Sequence, residues 1–325
     1  MAQRRALICG VSGQDGAYLA RFLLERDYEV WGTSRDAQRT SFARLAALGI
    51  RDRVRVLTMA VDDLESVSSA LRQARPAEIY NLAGQTSVGA SFQQPDETFA
   101  SIASGTLNLL EGIRPLGQGC RYYNAASGEC FGDTGAAPAD EATPFRPQSP
   151  YAAAKAEAFA HVAAFRETSG NFACSGILFN HESPLRSERF VTQKIVAAAC
   201  RIAAGSGEKL ALGNLDVARD WGWAPEYVAT MWMMLQQPGP RDYVIATGQT
   251  SPLRAFAEQA FRAVGLDWEQ HIVRDEALVR PADIRVSRAN PAGAAAALGW
   301  SATMRMADVA TAMVSAERAR TAHSN

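Results

Sequence analysis

A tyrosine and a lysine four residues apart, Tyr151 and Lys155, are the pair in this 325-residue chain best suited to moving a proton. On a helix, residues i and i+4 share one face. An ammonium within reach of a phenol favours the phenolate, so Lys155 is expected to lower the Tyr151 pKa and make it a proton acceptor near neutral pH. The chain has eight tyrosines and only three lysines, Lys155, Lys194 and Lys209. Random placement of that composition would give about 0.07 such pairs. Ser149 and Pro150 stand just ahead, a hydroxyl suited to an N-cap and a ring suited to the first helical position, so the spacing predicts a helix starting here.

A second group follows an apolar run: Ala126-Ser127-Gly128-Glu129-Cys130-Phe131-Gly132. Ser127 can hydrogen-bond a substrate hydroxyl, and Glu129 adds a carboxylate two residues on. Exchange of hydride at an alcohol needs only tyrosine, lysine and serine, whereas removing a proton from carbon needs a further base. The third group is the glycine triplet Gly10, Gly13 and Gly16 in Gly-Val-Ser-Gly-Gln-Asp-Gly, between an apolar run and a helical pattern. Such a turn brings backbone close to a pyrophosphate and sets it on a helix N-terminus. The second apolar run ends in Thr33-Ser34-Arg35, with no acid before Asp36. A basic residue at that place suits a ribose 2′-phosphate, so NADP is expected over NAD. Asp62 and Asp63 follow the third run, where an adenine edge commonly sits, and one of them can instead cap the helix beginning near Ser66.

These residues need elements to hold them. Apolar runs at Ala6–Gly10, Tyr28–Gly32, Val54–Ala60, Glu78–Asn81, Arg121–Ala126 and Ala173–Phe179 alternate with helical patterns such as Tyr18–Asp27. That rhythm predicts an α/β fold with a doubly wound parallel sheet of the Rossmann kind. Gly132–Pro150 reads as a long functional loop over the carboxyl edge of the sheet. Beyond residue 180 the alternation weakens, and a smaller mixed α/β domain is expected: residues 1–180 for the dinucleotide and 181–325 for the substrate, with segments near 215–245 packing back on the first. Tyr227–Gln236 and Pro291–Leu298 read as helices, and the tail beyond Arg318 as frayed.

Composition narrows the function classes. Thirty-three basic against 34 acidic residues leave a net charge of −1, which recommends neither nucleic acid nor an anionic membrane as partner. No apolar run approaches the roughly 18 residues that span a bilayer. The early run ALICGV is too short for a signal-peptide core, so a cytoplasmic protein is expected. Cys9, Cys120, Cys130, Cys174 and Cys200 are odd in number and scattered, and the four histidines lie far apart as well. Neither a disulfide framework nor a metal site is indicated.

Taken in order, the glycine triplet, Ser127 and Tyr151-x-x-x-Lys155 resemble the extended short-chain dehydrogenase/reductases. The strings GVSGQDGAYLARFLLERDYEV, EIYNLAGQTSVGASF, SPYAAAK, SGILFNHESPLRSERFVTQKI, LGNLDVARDWGWAPEYVATMWMMLQQ and YVIATGQT are similar, more narrowly, to the GDP-mannose 4,6-dehydratase family, from about residue 5 to 300. The resemblance implies a GDP-hexose dehydratase, a lyase of deoxysugar biosynthesis, that recycles a tightly bound NADP. It implies that Tyr151 takes the proton of the sugar 4-hydroxyl and that Glu129 takes the proton from carbon 5 as water leaves carbon 6. Lys155 would hold the ribose and Ser127 would orient the 4-hydroxyl. By the same likeness Gly10, Gly13, Gln14, Asp15, Gly16, Arg35, Asp63, Leu64, Leu82, Ala83, Tyr151, Lys155, His181 and Arg186 would contact the cofactor. Ser87, Asn180, Val191, Lys194, Arg219 and Arg280 would contact the substrate, where arginine forks suit a diphosphate. A homodimer or homotetramer is implied as well.

The chain departs from the family at identifiable places. S-T-S-E reads Ala126-Ser127-Gly128-Glu129 here, which is expected to loosen the pocket beside the sugar. N-L-G-A or N-L-A-A reads Asn81-Leu82-Ala83-Gly84. Gln193 replaces arginine, Ser187 and Arg189 replace the usual R-G-E-T stretch, Val286-Ser287-Arg288-Ala289 replaces a more apolar run, and Arg35–Thr40, which in the family joins protomers, is altered. A dehydratase of another GDP-sugar such as a GDP-heptose, a nucleotide-sugar 4-epimerase or 4-ketoreductase, and a non-catalytic dinucleotide-binding regulator therefore stand as alternatives.

Overall fold

The computed structural model describes residues 3–279 and 282–322. The described residues contain twelve strands: β1 (Arg5–Cys9), β2 (Glu29–Ser34), β3 (Arg55–Thr58), β4 (Glu78–Asn81), β5 (Arg121–Ser127), β6 (Ala173–Leu178), β7 (Asn180–Glu182), β8 (Leu210–Leu212), β9 (Ala218–Trp223), β10 (Tyr243–Ile245), β11 (Thr250–Pro252) and β12 (Ile272–Arg274). Seven of them form one parallel sheet in the order β10-β6-β5-β4-β1-β2-β3. This is the doubly wound Rossmann sheet. The strand order reverses between β1 and β4, and in such sheets the crevice beyond the carboxyl ends at that reversal receives ligands. Strands buried on both faces read as continuous apolar runs, which is why β1, β4 and β6 were visible in the sequence.

The first six strands fall within a few residues of their expected bounds. Several helices differ. The first runs Gln14–Leu24, starting directly on the glycine triplet rather than at Tyr18. The helix expected at Tyr227–Gln236 begins at Ala224, with Pro225 in its first turn. The tail does not fray at Arg318: a helix continues from Met306 to Ala322, anchored by Val309, Ala310, Met313 and Val314.

The chain's second half contributes to both of its main hydrophobic clusters. Ala224–Leu235 and β10 join the cluster on one face of the large sheet, where Phe22 of the first helix meets the Trp232 ring edge-on at 5.9 Å. A separate cluster of Ile195, Val196, Trp221, Phe256, Phe261, Val309 and Met313 lies beyond it. Between the two run the small sheet β11-β9-β7, with β7 and β9 parallel, and the pair β12-β8. Residues 132–149 form a loop without helices, as expected, pinned by Ala139 to Ala289 and by the Arg146 N–H donating to the Cys130 carbonyl at 2.8 Å.

Candidate active site

A cleft of about 280 Å³ opens beyond the carboxyl ends of β1, β4, β5 and β6, with β7 and β9 as its far wall. Asp15, in the glycine turn, is among its lining residues, whereas Gly10, Gly13 and Gly16 are not. Gly10 sits at φ +82°, and a Cβ there would lie 2.9 Å from the Leu82 carbonyl oxygen. At Gly16 a Cβ would fall 2.5 Å from the Gly10 carbonyl oxygen and 2.7 Å from the Val11 Cα. The turn thus brings helix, strand and the Leu82-Ala83 backbone together at a spacing only glycine permits. It leaves the first-turn N–H groups of Gln14–Leu24 facing outward, the arrangement that binds a pyrophosphate. A dinucleotide fits this cradle.

Ser149 caps the helix Pro150–Ser169 as expected, its Oγ accepting from the Ala152 N–H at 3.1 Å. Tyr151 and Lys155 both reach the cleft from this helix, and Ser127 and Glu129 enter it from the end of β5. The Ser127 Oγ accepts from the Glu129 N–H at 3.2 Å, which holds the hydroxyl against the backbone of the residue that carries the carboxylate. One expectation fails here. The Lys155 ammonium donates to the Ala125 carbonyl at 2.7 Å, and burial raises the Tyr151 phenol pKa despite the Ser127 hydroxyl hydrogen-bonded to it. Burial also lowers the Lys155 pKa, to about 8. Lysine and tyrosine therefore share a wall, but desolvation governs the phenol instead of the ammonium.

The opposite wall carries two charged pairs. The His181 Nε2 lies 2.8 Å from Asp15 Oδ2, and its Nδ1 lies 2.7 Å from the Phe179 carbonyl oxygen. Burial opposes ionisation of both partners, yet their mutual charge prevails: the Asp15 carboxyl is lowered to about 2 and the His181 pKa is raised. Arg186 clasps Glu182 with two bonds, 2.8 and 3.2 Å, and Thr192 donates to the same carboxylate at 2.7 Å. Arg219, in β9, approaches Glu129 at 3.8 Å and Asp283 at 3.4 Å. Cationic side chains from three segments, Lys155 in the helix Pro150–Ser169, Arg186 and Arg189 after β7 and Arg219 in β9, therefore face one space, a setting suited to an anionic ligand.

Other expected site residues distribute unevenly. Leu82, Ser87, Asn180 and Val191 line the cleft, Ser87 also capping the helix Val88–Gln93. Gln14 lies behind it, Ala83 borders the glycine turn, and Leu64 is an exposed apolar side chain. Asp63 caps the helix Leu64–Ala74, accepting from the Glu65 N–H at 3.0 Å. Arg35 is largely exposed and paired with Glu97 at 3.3 Å. Lys194 is not among the cleft-lining residues, because its ammonium donates to the Ala211 carbonyl at 2.9 Å. Arg280 lies outside the described residues. Nor does Gly128 loosen the pocket: the Phe179 ring fills the room, within 2.9 Å of where a Cβ would be.

Several residues escaped the sequence reading, Glu182 and Thr192 among them. Asp283 borders the cleft beside Arg219. Arg44 donates to the Ser12 carbonyl at 3.1 Å and the Leu185 carbonyl at 2.8 Å, tying the glycine turn to the segment after β7. Its helix spans only Ala43–Ala47, too short to leave a periodic signal.

The GDP-mannose 4,6 dehydratase family profile matches residues 7–313. GDP-mannose 4,6 dehydratase 1 of Arabidopsis thaliana is 43% identical over 305 residues, covering 91% of this chain and 84% of that one. The GDP-mannose 4,6-dehydratase of Sinorhizobium fredii is 42% identical over 333 residues, covering 95% of each. Among solved structures, UDP-glucose 4-epimerase of Thermotoga maritima with UDP-glucose superposes with a TM-score of 0.87 at 20% identity, covering 98% of this chain and 99% of that one. DesIV, a dTDP-glucose 4,6-dehydratase of Streptomyces venezuelae with NAD and TYD bound, gives 0.87 at 22% and 98% of each. RMD of Pseudomonas aeruginosa complexed with NADPH gives 0.81 at 23%, covering 98% of this chain and all of that one. At these identities the structures speak to the fold.

Proposed function

The chain belongs to the GDP-mannose 4,6-dehydratase family, and on that premise we propose that it converts GDP-mannose to GDP-4-keto-6-deoxymannose with loss of one water and no net oxidation. The observation that carries this reading is Glu129: a carboxylate fixed two residues from Ser127, in the cleft that Tyr151 and Lys155 share. Exchange at an alcohol carbon leaves such a carboxylate without a task, whereas dehydration across carbons 5 and 6 requires a base for the carbon-5 proton.

The cofactor, when bound in the glycine cradle, supplies the acceptor and then the donor of a hydride. The chain's residues do the rest. Ser127 holds the sugar 4-hydroxyl and Tyr151, as the phenolate, takes its proton. The ketone so formed at carbon 4 acidifies the proton on carbon 5, which Glu129 removes as the carbon-6 hydroxyl departs as water. Lys155 keeps two N–H groups beyond the one given to Ala125, since an ammonium has three donors, and these are available to a ribose hydroxyl. Arg219 and Arg186 offset the diphosphates. NADP is favoured because Arg35 follows β2, while an Asp36 oxygen is already taken by the Gln38 and Arg39 N–H groups, both at 3.0 Å. The nucleotide-binding roles of Gly13, Asp63, Leu82 and Asn180 belong to the same proposal, as does homo-oligomerisation.

The test is incubation of the purified chain with GDP-mannose and catalytic NADP, followed by mass spectrometry of the sugar nucleotide. Loss of one water without accumulation of NADPH is the expected outcome, abolished in Glu129→Gln. A change of stereochemistry without water loss, or consumption of external NADPH, would replace the dehydratase by an epimerase or ketoreductase.

A further inference from the structure

The chemistry above leaves unexplained why a histidine and an aspartate are paired in the wall behind it. The His181 Nδ1 faces the Phe179 carbonyl at 2.7 Å and its Nε2 faces the Asp15 carboxylate at 2.8 Å. A carbonyl and a carboxylate are both acceptors. A neutral imidazole has one N–H and one lone pair, so it would set that lone pair against an oxygen; only the imidazolium donates from both nitrogens. Its ring lies on the Tyr227 ring, with centroids 4.7 Å apart and planes at 25°, a surface that favours a cation. The other Asp15 oxygen accepts from Gln14 Nε2 at 2.9 Å.

The pair joins two segments far apart in sequence. Gln14 also donates to the His181 carbonyl at 3.2 Å and accepts from the Ser183 hydroxyl at 2.8 Å. Arg44 spans the same two segments at Ser12 and Leu185. The glycine turn is thus bound to β7 and the residues after it, and among the described residues the only bond between opposite charges in that seam is Asp15 to His181.

We propose that Asp15 is a positioning residue, which holds His181 as an imidazolium, and that this ion pair latches the glycine turn to β7 so that dinucleotide retention depends on the charge of His181. The inference rests on the dinucleotide reading of the cradle. Charged and titratable groups face the pair from every side: Arg186 from the turn after β7, Lys155 from the helix Pro150–Ser169, Tyr18 from the first helix, Tyr123 from β5 and Tyr227 from Ala224–Leu235. Arg186 opposes the imidazolium but is itself clasped by Glu182. The His181 pKa is raised above 6.5 in spite of burial, so its contribution is complete below that value and lost as pH rises through the raised one. Asp15, lowered to about 2 in spite of burial, contributes above the ordinary carboxylate range and is lost only as pH falls toward that value. The latch is closed below the raised His181 value and opens as pH rises through it.

The experiment is a pH titration of the chain labelled with 15N-histidine, without substrate, the His181 signals being assigned from His181→Gln. In parallel, NADPH affinity is measured by its fluorescence. Both His181 nitrogens are expected to be protonated at neutral pH, and NADPH affinity to fall as they lose that state. Asp15→Asn is expected to shift the His181 transition to lower pH and to weaken NADPH about tenfold or more at neutral pH, with the deficit shrinking on acidification. Ser183→Ala, which removes a neutral stitch, leaves the His181 titration in place. A neutral His181 at neutral pH, or NADPH binding in Asp15→Asn equal to the unmodified chain, overturns the proposal. Should Asp15→Asn fail to fold, His181→Gln decides: it carries no charge at any pH, and survival of the alkaline break in affinity would sink the latch. Failure of water loss from GDP-mannose with these titrations intact would count against the proposed reaction alone, and absence of NADPH binding in the unmodified chain against the dinucleotide reading.

Discussion

Tyr151 and Lys155 sit where their four-residue spacing puts them, yet their chemistry is set by desolvation. Burial removes water from both. It raises the phenol, which is neutral until it gives up its proton, and lowers the ammonium, which loses charge by deprotonating. With Lys155 at about 8, its positive charge is present below that pH and fades above it, so any help it gives the phenolate fades too. The expected kcat/KM therefore falls on the alkaline side with a break near pH 8, and Lys155→Met is expected to lower kcat by about 10²- to 10³-fold and to lose that break. A pH profile of water loss in both proteins measures this. An unchanged alkaline limb in Lys155→Met would transfer the break to another group.

At the scale of elements, the glycine turn separates two demands that one motif conceals. A Cβ at Gly16 would meet backbone atoms at 2.5 and 2.7 Å, and backbone cannot step aside without parting helix from strand. At Gly13, the residue before the first helix, φ is −74° and the nearest such atom is 3.3 Å away. Gly16→Ala is therefore expected to destabilise the cofactor-free chain by about 2–3 kcal/mol, in the range of overpacked sites. Gly13→Ala is expected to change stability by about 1 kcal/mol or less while weakening NADPH, because its methyl group occupies the pyrophosphate's approach. Urea unfolding without cofactor, set beside NADPH titration, separates the two; equal loss of stability in both variants would refute the division. The same turn shows what a sequence can carry. Its glycines, the Ser149-Pro150 start of the Tyr151 helix and the buried strands were legible because each leaves a local signature. Arg44, the Lys155 bond to Ala125 and the exposed pairing of Arg35 with Glu97 were not, because each depends on a partner at least 30 residues away. Gly128 was misread for the same reason: the space beside it belongs to Phe179, across the β5–β6 pairing.

Across the whole molecule, the proposed division near residue 180 must be reconciled with a second half that sends a helix and a strand back to the first sheet. Glu78 marks where that return is fastened. It is fully buried at the first residue of β4, the end of the strand away from the cleft. Its carboxylate accepts from the Tyr28 and Tyr80 hydroxyls at 3.1 and 2.7 Å and from Gln236, at the end of Ala224–Leu235, at 3.1 Å, with Arg4 at 3.3 Å. Trp232 of that helix donates to the Tyr28 hydroxyl at 3.0 Å. One carboxylate thus serves four segments, and removing it leaves the buried Tyr28 and Tyr80 hydroxyls without their acceptor, a loss far larger than that of an exposed ion pair. Glu78→Ala is expected to lower unfolding free energy by about 3–5 kcal/mol. Since β4 rises about 3.3 Å per residue and only its far end reaches the cleft, kcat per folded molecule is expected to stay within about twofold of the unmodified chain. Chemical denaturation, read against turnover at a temperature where the variant remains folded, distinguishes a fastening from a functional group: a large fall in kcat at full folding would mean that the two ends of the sheet are coupled.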